Sequence, residues 1–229
     1  MVEPTHNIFG KLDAKWCLEQ CRYIVDKLPR TQVSNTSGKF FNTYEQWQFH
    51  KSSNLPIMKK FNEELEKHLP EWEKIYNRKA HINFFNLAYT KDSTKEMSIW
   101  HLDRYFYDGQ FHLTVQGNAN IETEKETLWL ENGTLWYLNG SIYKHKININ
   151  NEPIERFELC CPIYQHQKHV DTLMSCVKDD TKLVYPNDEF KKMVTTEKLV
   201  VEKSIKVGKS RSIFSENKGQ HSADWSNRR

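Results

Sequence analysis

The chain has 229 residues, of which 38% are hydrophobic and 28% charged, so it can bury one sizeable core or two small ones. Its 33 Lys and Arg against 30 Asp and Glu give a net charge of +3, which is too small to indicate binding to nucleic acid or to a membrane surface. The amino terminus has no signal-peptide pattern, and the five cysteines form no Cys-x-x-Cys pair. We therefore expect a cytoplasmic globular protein without a membrane partner, and we rank nucleic acid low as a partner.

Residues 1–79 are predicted to form a helical region that braces the core or binds a partner. Apolar residues recur every three or four positions over residues 12–28 and again over residues 55–69, which predicts two amphipathic helices. Pro70 is expected to end the second helix, since proline disrupts helical hydrogen bonding. The polar stretch at 31–41 is predicted to be a loop.

Residues 80–165 have the pattern of a sheet. Short runs with strand composition recur at about ten-residue spacing. They are residues 80–89, 111–115, 127–131, 134–138, 142–149 and 156–160. Asn132-Gly133, between the third and fourth runs, predicts a two-residue hairpin turn, because both turn positions need a positive φ. This pattern is typical of a sandwich or barrel, so the expected fold is mainly β with flanking helices.

The carboxyl-terminal part is predicted to be less regular. Residues 166–200 are expected to be helical or irregular, with one helix over 166–178. Residues 201–229 carry seven Lys or Arg against three acids and have little periodicity, which predicts a basic polar tail. The tail is either a solvated terminus or a docking arm for an acidic partner.

A histidine and a carboxylate stand two residues apart at His101 and Asp103. On an extended segment both side chains point to one face and can bind the same ion. A second such pair, His169 and Asp171, lies in the predicted helix, where the two side chains diverge, and we interpret these as surface residues. His145 follows His101 by 44 positions in the predicted sheet. Two histidines and one carboxylate on one face of a metal leave three positions open, as in non-haem Fe(II) oxygenases.

With Arg156, these residues resemble the 2-oxoglutarate/Fe(II)-dependent dioxygenases, which share His-x-Asp, a distal His and a downstream Arg. The stretch 101–159 is most similar to the aspartyl/asparaginyl β-hydroxylase branch, which includes free-proline hydroxylases. The further matching residues are His112, Gly133-Thr134-Leu135-Trp136, His145 with Asn148, and Arg156-Phe157-Glu158-Leu159. The chain departs from the branch at Gln110, where an Arg is common, and at Asn139-Gly140, which replaces an acidic segment. The resemblance implies a double-stranded β-helix (jelly-roll or cupin-like) core.

The resemblance also implies roles for individual residues. Fe(II) would be held by His101, Asp103 and His145, and 2-oxoglutarate by Arg156 and His112, with O2 as the other reactant. The implied reaction is hydroxylation of an unactivated C–H bond of an amino acid, free or within a peptide or protein, with release of succinate and CO2. Residues near the metal motif or in the pocket wall are expected to contact the substrate. They are Arg104, Tyr105, Tyr107 and Trp136.

Two other functions stay open at this point. One is a catalytically silent β-barrel that binds a partner through its basic tail. The other is a cupin-type metalloenzyme that does not use 2-oxoglutarate. The spacing of Arg156 from His145 favours the 2-oxoglutarate-dependent enzyme over the cupin-type metalloenzyme.

Overall fold

The computed structural model describes residues 3–34, 44–91, 98–103, 107–149 and 155–193. The described residues up to Tyr185 form one compact unit, and those from Pro186 to 193 belong to a second one. The tail predicted over 201–229 lies outside the described residues. In chain order the elements are β1 (His6–Lys11), α1 (Ala14–Lys27), β2 (Gln32–Ser34), β3 (Tyr44–His50), α2 (Pro56–Tyr76), β4 (Phe84–Thr90), β5 (Tyr107–Gln116), β6 (Ala119–Thr123), β7 (Thr127–Leu130), β8 (Thr134–Leu138), β9 (His145–Ile149), β10 (Arg156–Tyr164), α3 (Gln167–Met174), β11 (Val177–Lys178) and β12 (Leu183–Val184). Within the described ranges no helix is both long and apolar enough to cross a membrane.

The strands form two antiparallel sheets. The large sheet has the order β1-β8-β5-β10-β4-β3-β12-β11, with β2 paired to the edge of β3. The small sheet has the order β7-β6-β9. Each of the six predicted strand runs overlaps an observed strand, and α3 falls within the helix predicted over 166–178. The prediction of a mainly β fold with flanking helices is confirmed.

Helices α1 and α2 share one hydrophobic core with one face of the large sheet. Asp13 caps α1 by accepting hydrogen bonds from Lys15 N and Trp16 N, and the helix buries Cys17 and Cys21. The sheet side of this core consists of alternate strand residues, among them Phe85, Leu87, Phe111, Leu113, Phe157 and Leu159. Because side chains alternate along a strand, the residues between them, such as His112 and Glu158, point to the opposite face of the sheet.

Helix α2 does not end at Pro70. It runs on to Tyr76 and buries Trp72 and Tyr76 beyond the proline, so the predicted helix end was wrong. Proline removes one backbone hydrogen bond, at a cost of about 3 kcal/mol. The two aromatic side chains stack on each other, with ring centroids 5.1 Å apart, and also contact Tyr137 of β8. Burial of two large rings in the core offsets the local cost of the proline.

The turn at Asn132-Gly133 exists, but the predicted hairpin does not. Gly133 has a φ of 84°, and Thr134 N donates to Glu131 O at 3.1 Å. The strands on either side belong to different sheets, since β7 pairs with β6 while β8 pairs with β1 and β5. The prediction fails because Gly133 N donates to Thr114 O and Gly133 O accepts from Leu12 N, contacts with distant segments that redirect the chain.

The first 79 residues contribute strands as well as helices. β1 is the edge strand beside β8, with His6 opposite Leu138 and Lys11 opposite Thr134. β3 extends the same sheet on the other side by pairing with β4. The region predicted to be helical therefore also widens the large sheet.

Candidate metal and cosubstrate site

His101 and His145 lie side by side in an antiparallel bridge. His101 N donates to His145 O at 2.9 Å, and His145 N donates to His101 O at 2.8 Å. Their ring centroids are 4.3 Å apart, and Asp103 joins them with Oδ1 3.7 Å from His145 Nε2. One ligand atom from each of the three residues lies within 4.8 Å of the others. The sequence-predicted metal ligands are thus brought together.

Backbone carbonyls orient both imidazole rings. His101 Nδ1 lies 2.8 Å from Ile99 O, and His145 Nδ1 lies 3.3 Å from Tyr143 O. A carbonyl can only accept, so these contacts assign an N–H to Nδ1 in each ring. Metal-binding histidines commonly donate one ring N–H to a carbonyl in this way and bind the metal through the other nitrogen.

Gly140 makes room for the three side chains. Its carbonyl accepts from Asp103 N at 2.7 Å, which holds the two segments together. A Cβ placed on Gly140 would overlap Asp103 Oδ2 and lie 2.8 Å from His145 Cε1. The space beside this carboxylate therefore depends on the absence of a side chain, and a site of two imidazoles and one carboxylate fits Fe(II).

The surroundings of Asp103 lower the pKa of its carboxyl group. Burial raises its pKa, but the charges of His145 and His101 and a hydrogen bond from Gln110 outweigh burial, so the pKa is lower than usual. Gln110 replaces an arginine that is common in the branch resembled by the sequence. Here Gln110 is one of the groups that lower the pKa of Asp103.

The predicted cosubstrate residues lie on the face of the large sheet opposite to helices α1 and α2. Gln110 and His112 stand two residues apart on β5, and Arg156 lies on the neighbouring strand β10. The His112 ring stacks on Trp136 with centroids 4.4 Å apart, and its buried Nε2 has no hydrogen-bond partner among the described residues. Arg156 is only 4% exposed and donates from Nη1 to Gly117 O at 2.6 Å. Both side chains are therefore held within the interior.

Glu158 joins His112 and Arg156, and the sequence interpretation missed it. Its Oε2 accepts from Arg156 Nη2 at 2.5 Å, and its Oε1 lies 3.1 Å from His112 Nδ1. Cys160 Sγ lies 3.5 Å from the same ring nitrogen. Strand periodicity could have found Glu158, since it stands two residues after Arg156 and must share its face.

The substrate-contact predictions fall partly outside the described residues. Arg104 and Tyr105 lie in a segment that is not described, and Tyr107 is described only by its backbone at the start of β5. Trp136 is 1% exposed and donates from Nε1 to Thr114 Oγ1 at 3.2 Å. Trp136 is therefore placed as a wall beside His112.

His169 is not a surface residue, so that interpretation was wrong. It is fully buried on α3, with its ring 6.3 Å from that of Tyr164, whereas Asp171 is exposed and accepts from Gln167 Nε2 at 2.9 Å. The helix turns the two side chains in different directions, as expected for positions i and i+2. The divergence of the two side chains follows from the helix alone, whereas the burial of His169 became visible only in the tertiary structure.

Comparison with known proteins gives a fold-level result. No protein-family model and no curated protein matches the sequence. Among solved structures, a Pseudomonas putida prolyl-4-hydroxylase is similar with a TM-score of 0.56 and 10% identity, over 71% of this chain and 93% of that chain. A prolyl hydroxylase from Trichoplax adhaerens, solved with a hypoxia inducible factor peptide fragment, has a TM-score of 0.54 and 9% identity, over 73% of this chain and 87% of that chain. A viral collagen prolyl hydroxylase from Paramecium Bursaria Chlorella virus-1 has a TM-score of 0.50 and 9% identity, over 70% of this chain and 90% of that chain.

These similarities define the class of fold. The chain has the double-stranded β-helix expected from the sequence, and the prediction of fold class is confirmed. Three of its structural neighbours are named as prolyl hydroxylases, and the similarity to them is one of fold. They do not support the aspartyl/asparaginyl β-hydroxylase branch that the sequence resembles.

Proposed function

We propose that this protein is an Fe(II)- and 2-oxoglutarate-dependent dioxygenase that hydroxylates an unactivated C–H bond of an amino acid, free or peptidyl. The observation that carries the proposal is the convergence of His101, Asp103 and His145 inside this fold. Gln110 is among the groups that lower the pKa of Asp103, and it stands on β5 two residues before His112, on the sheet face that also carries Arg156. Histidines and aspartates that serve only as separate surface residues would not be expected to converge in this way.

In this proposal His101, Asp103 and His145 hold Fe(II) from one side and leave the opposite positions for other ligands. When bound, Fe(II) with 2-oxoglutarate and O2 supplies the oxidation of the C–H bond, and 2-oxoglutarate leaves as succinate and CO2. The chain's own contribution is to bind, orient and exclude water. The carbonyls of Ile99 and Tyr143 keep the two imidazoles in their ligating orientation.

Arg156 and His112 bind 2-oxoglutarate in this proposal. A guanidinium can bind a carboxylate through two parallel hydrogen bonds, whereas a lysine would act as a point charge. His112 offers its unpartnered Nε2, and the indole of Trp136 covers one face of its ring. Both residues are almost completely buried, so their hydrogen bonds to a ligand would form without competition from bulk water.

The proposed substrate is an amino acid residue, and prolyl peptides are the first candidates to test. Three solved neighbours are named as prolyl hydroxylases, and one was solved with a peptide fragment. Arg104, Tyr105 and Tyr107 remain proposed substrate contacts, because they follow the metal motif directly. All five cysteines are free, which fits our proposal of a reducing compartment such as the cytoplasm.

The test is an anaerobic titration of Fe(II)-loaded protein with 2-oxoglutarate, followed by ultraviolet-visible absorption. The chelate of Fe(II) and a 2-oxo acid gives a weak charge-transfer band, so no substrate is needed. We expect the band in the native protein and its loss in His145→Ala. His68→Ala is the matched control, because His68 lies on α2 and packs against Phe9 of β1, and neither residue belongs to the proposed site.

Each other outcome favours a different function. Folded, iron-loaded protein without a band would overturn the use of 2-oxoglutarate and favour the cupin-type metalloenzyme. Folded protein that binds no Fe(II) would favour a catalytically silent binding module. A band that persists in His145→Ala would refute the proposed ligand set.

A further inference from the structure

A buried carboxylate occupies the place where a second carboxylate would have to bind. The Glu158 side chain is 10% exposed, and its two oxygens contact Arg156 and His112, which are the two residues proposed to hold 2-oxoglutarate. Arg156 Nη2 donates to one oxygen at 2.5 Å, and His112 Nδ1 lies 3.1 Å from the other. Neither contact is on the protein surface.

The sheet fixes Glu158 in this position. Glu158 follows Arg156 by two residues on β10, so the two side chains share a face, and it lies opposite Thr114 of β5. His112 lies opposite Cys160, the next residue of β10 on that face. Backbone pairing on both sides of β10 fixes the backbone positions of Arg156 and Glu158, and the contacts with Arg156 and His112 hold the carboxylate.

This arrangement changes what the guanidinium offers to a ligand. Its positive charge is already balanced by Glu158, and Nη1 is already committed to Gly117 O at 2.6 Å. A cosubstrate carboxylate at Arg156 must approach the Glu158 carboxylate, and two like charges repel strongly in a buried site. A 2-oxo acid without a distal carboxylate does not experience this repulsion.

We infer that Glu158 is a specificity-determining residue that weakens binding of the distal carboxylate of 2-oxoglutarate and lets the pocket accept 2-oxo acids that lack it. The inference rests on the proposed function, since it concerns the same pocket. It differs from a positioning role for Glu158, in which loss of the carboxylate would loosen Arg156 and weaken 2-oxoglutarate binding.

The experiment compares two cosubstrates in Glu158→Gln under anaerobic conditions. The probes are 2-oxoglutarate and 2-oxopentanoate, which has the same five-carbon chain without the distal carboxylate. Glutamine removes the charge and retains an amide that can hydrogen-bond to His112 Nδ1 in either tautomer. Glu155→Gln is the matched control, because Glu155 precedes the same strand and pairs with Arg22 at the surface. The dissociation constants come from the Fe(II) chelate band, with calorimetry as a second measurement.

We expect Glu158→Gln to lower the dissociation constant of 2-oxoglutarate at least tenfold, about 1.4 kcal/mol, and to change that of 2-oxopentanoate less than about twofold. Glu155→Gln should change neither. Weaker binding of 2-oxoglutarate in Glu158→Gln, or an equal change for both acids, would overturn the inference. If native protein gives no chelate with either acid, the proposed function itself fails and this inference fails with it.

Discussion

Gly140→Ala tests the metal site through a single added methyl group. Gly140 does not have a positive φ, unlike Gly10, Gly109, Gly117 and Gly133, so alanine adds a steric effect without backbone strain. The new Cβ would lie 3.0 Å from Asp103 Cγ and 2.8 Å from His145 Cε1. Carbon atoms prefer separations of about 3.5–4.0 Å, so these groups must move apart by roughly 0.5–1 Å.

That movement is large compared with what a metal site tolerates. Ligand distances in a functional site stay within about 0.2 Å of their ideal values. The hydrogen bond from Asp103 N to Gly140 O also limits backbone adjustment, so the carboxylate has to be displaced. We expect Gly140→Ala to weaken Fe(II) binding by about 10- to 100-fold, as is typical for changes in the shell around metal ligands.

The assay is anaerobic calorimetric titration with Fe(II), with thermal unfolding measured in parallel. Ser141→Ala is the control, since it alters the adjacent buried residue without adding an atom. A folded Gly140→Ala protein with native Fe(II) affinity would refute the reasoning, because His101, Asp103 and His145 would then not bind the metal in the described geometry.

Three further predictions concern stability and reactivity. Leu65→Ala removes a fully buried side chain of α2 and should lower the free energy of unfolding by about 2–5 kcal/mol in a denaturant titration, whereas exposed Glu66→Ala should change it little. Asp13→Ala removes the cap of α1 and should cost about 1 kcal/mol in the same titration; an unchanged midpoint would contradict the capping role. Burial raises the pKa of Cys17 from 9.0 to about 11, so native alkylation at pH 8 should be about a hundredfold slower than in denatured protein. Because this pKa is raised on folding, its contribution to stability is complete below pH 9 and should be lost between pH 9 and about 11, which pH-dependent unfolding can measure.

The sequence alone determined features that lie within one element. Apolar spacing located both long helices, and strand composition located six of the strands, since each pattern reflects the repeat of a single helix or strand. The order of His101, Asp103 and His145 was also sufficient to suggest a metal site. Alternation along β5 likewise puts His112 on the face opposite Phe111 and Leu113.

Only the tertiary structure decided features that depend on distant contacts. The turn at Gly133 leads into another sheet because its partners are Leu12 and Thr114, which no local pattern reveals. Helix α2 continues past Pro70 because Trp72 and Tyr76 pack against β8. Glu158 meets His112 across 46 positions of sequence, and strand pairing alone sets that distance. Long-range pairing is a property of the whole chain, so the charge balance of the proposed cosubstrate pocket became visible only in the folded protein.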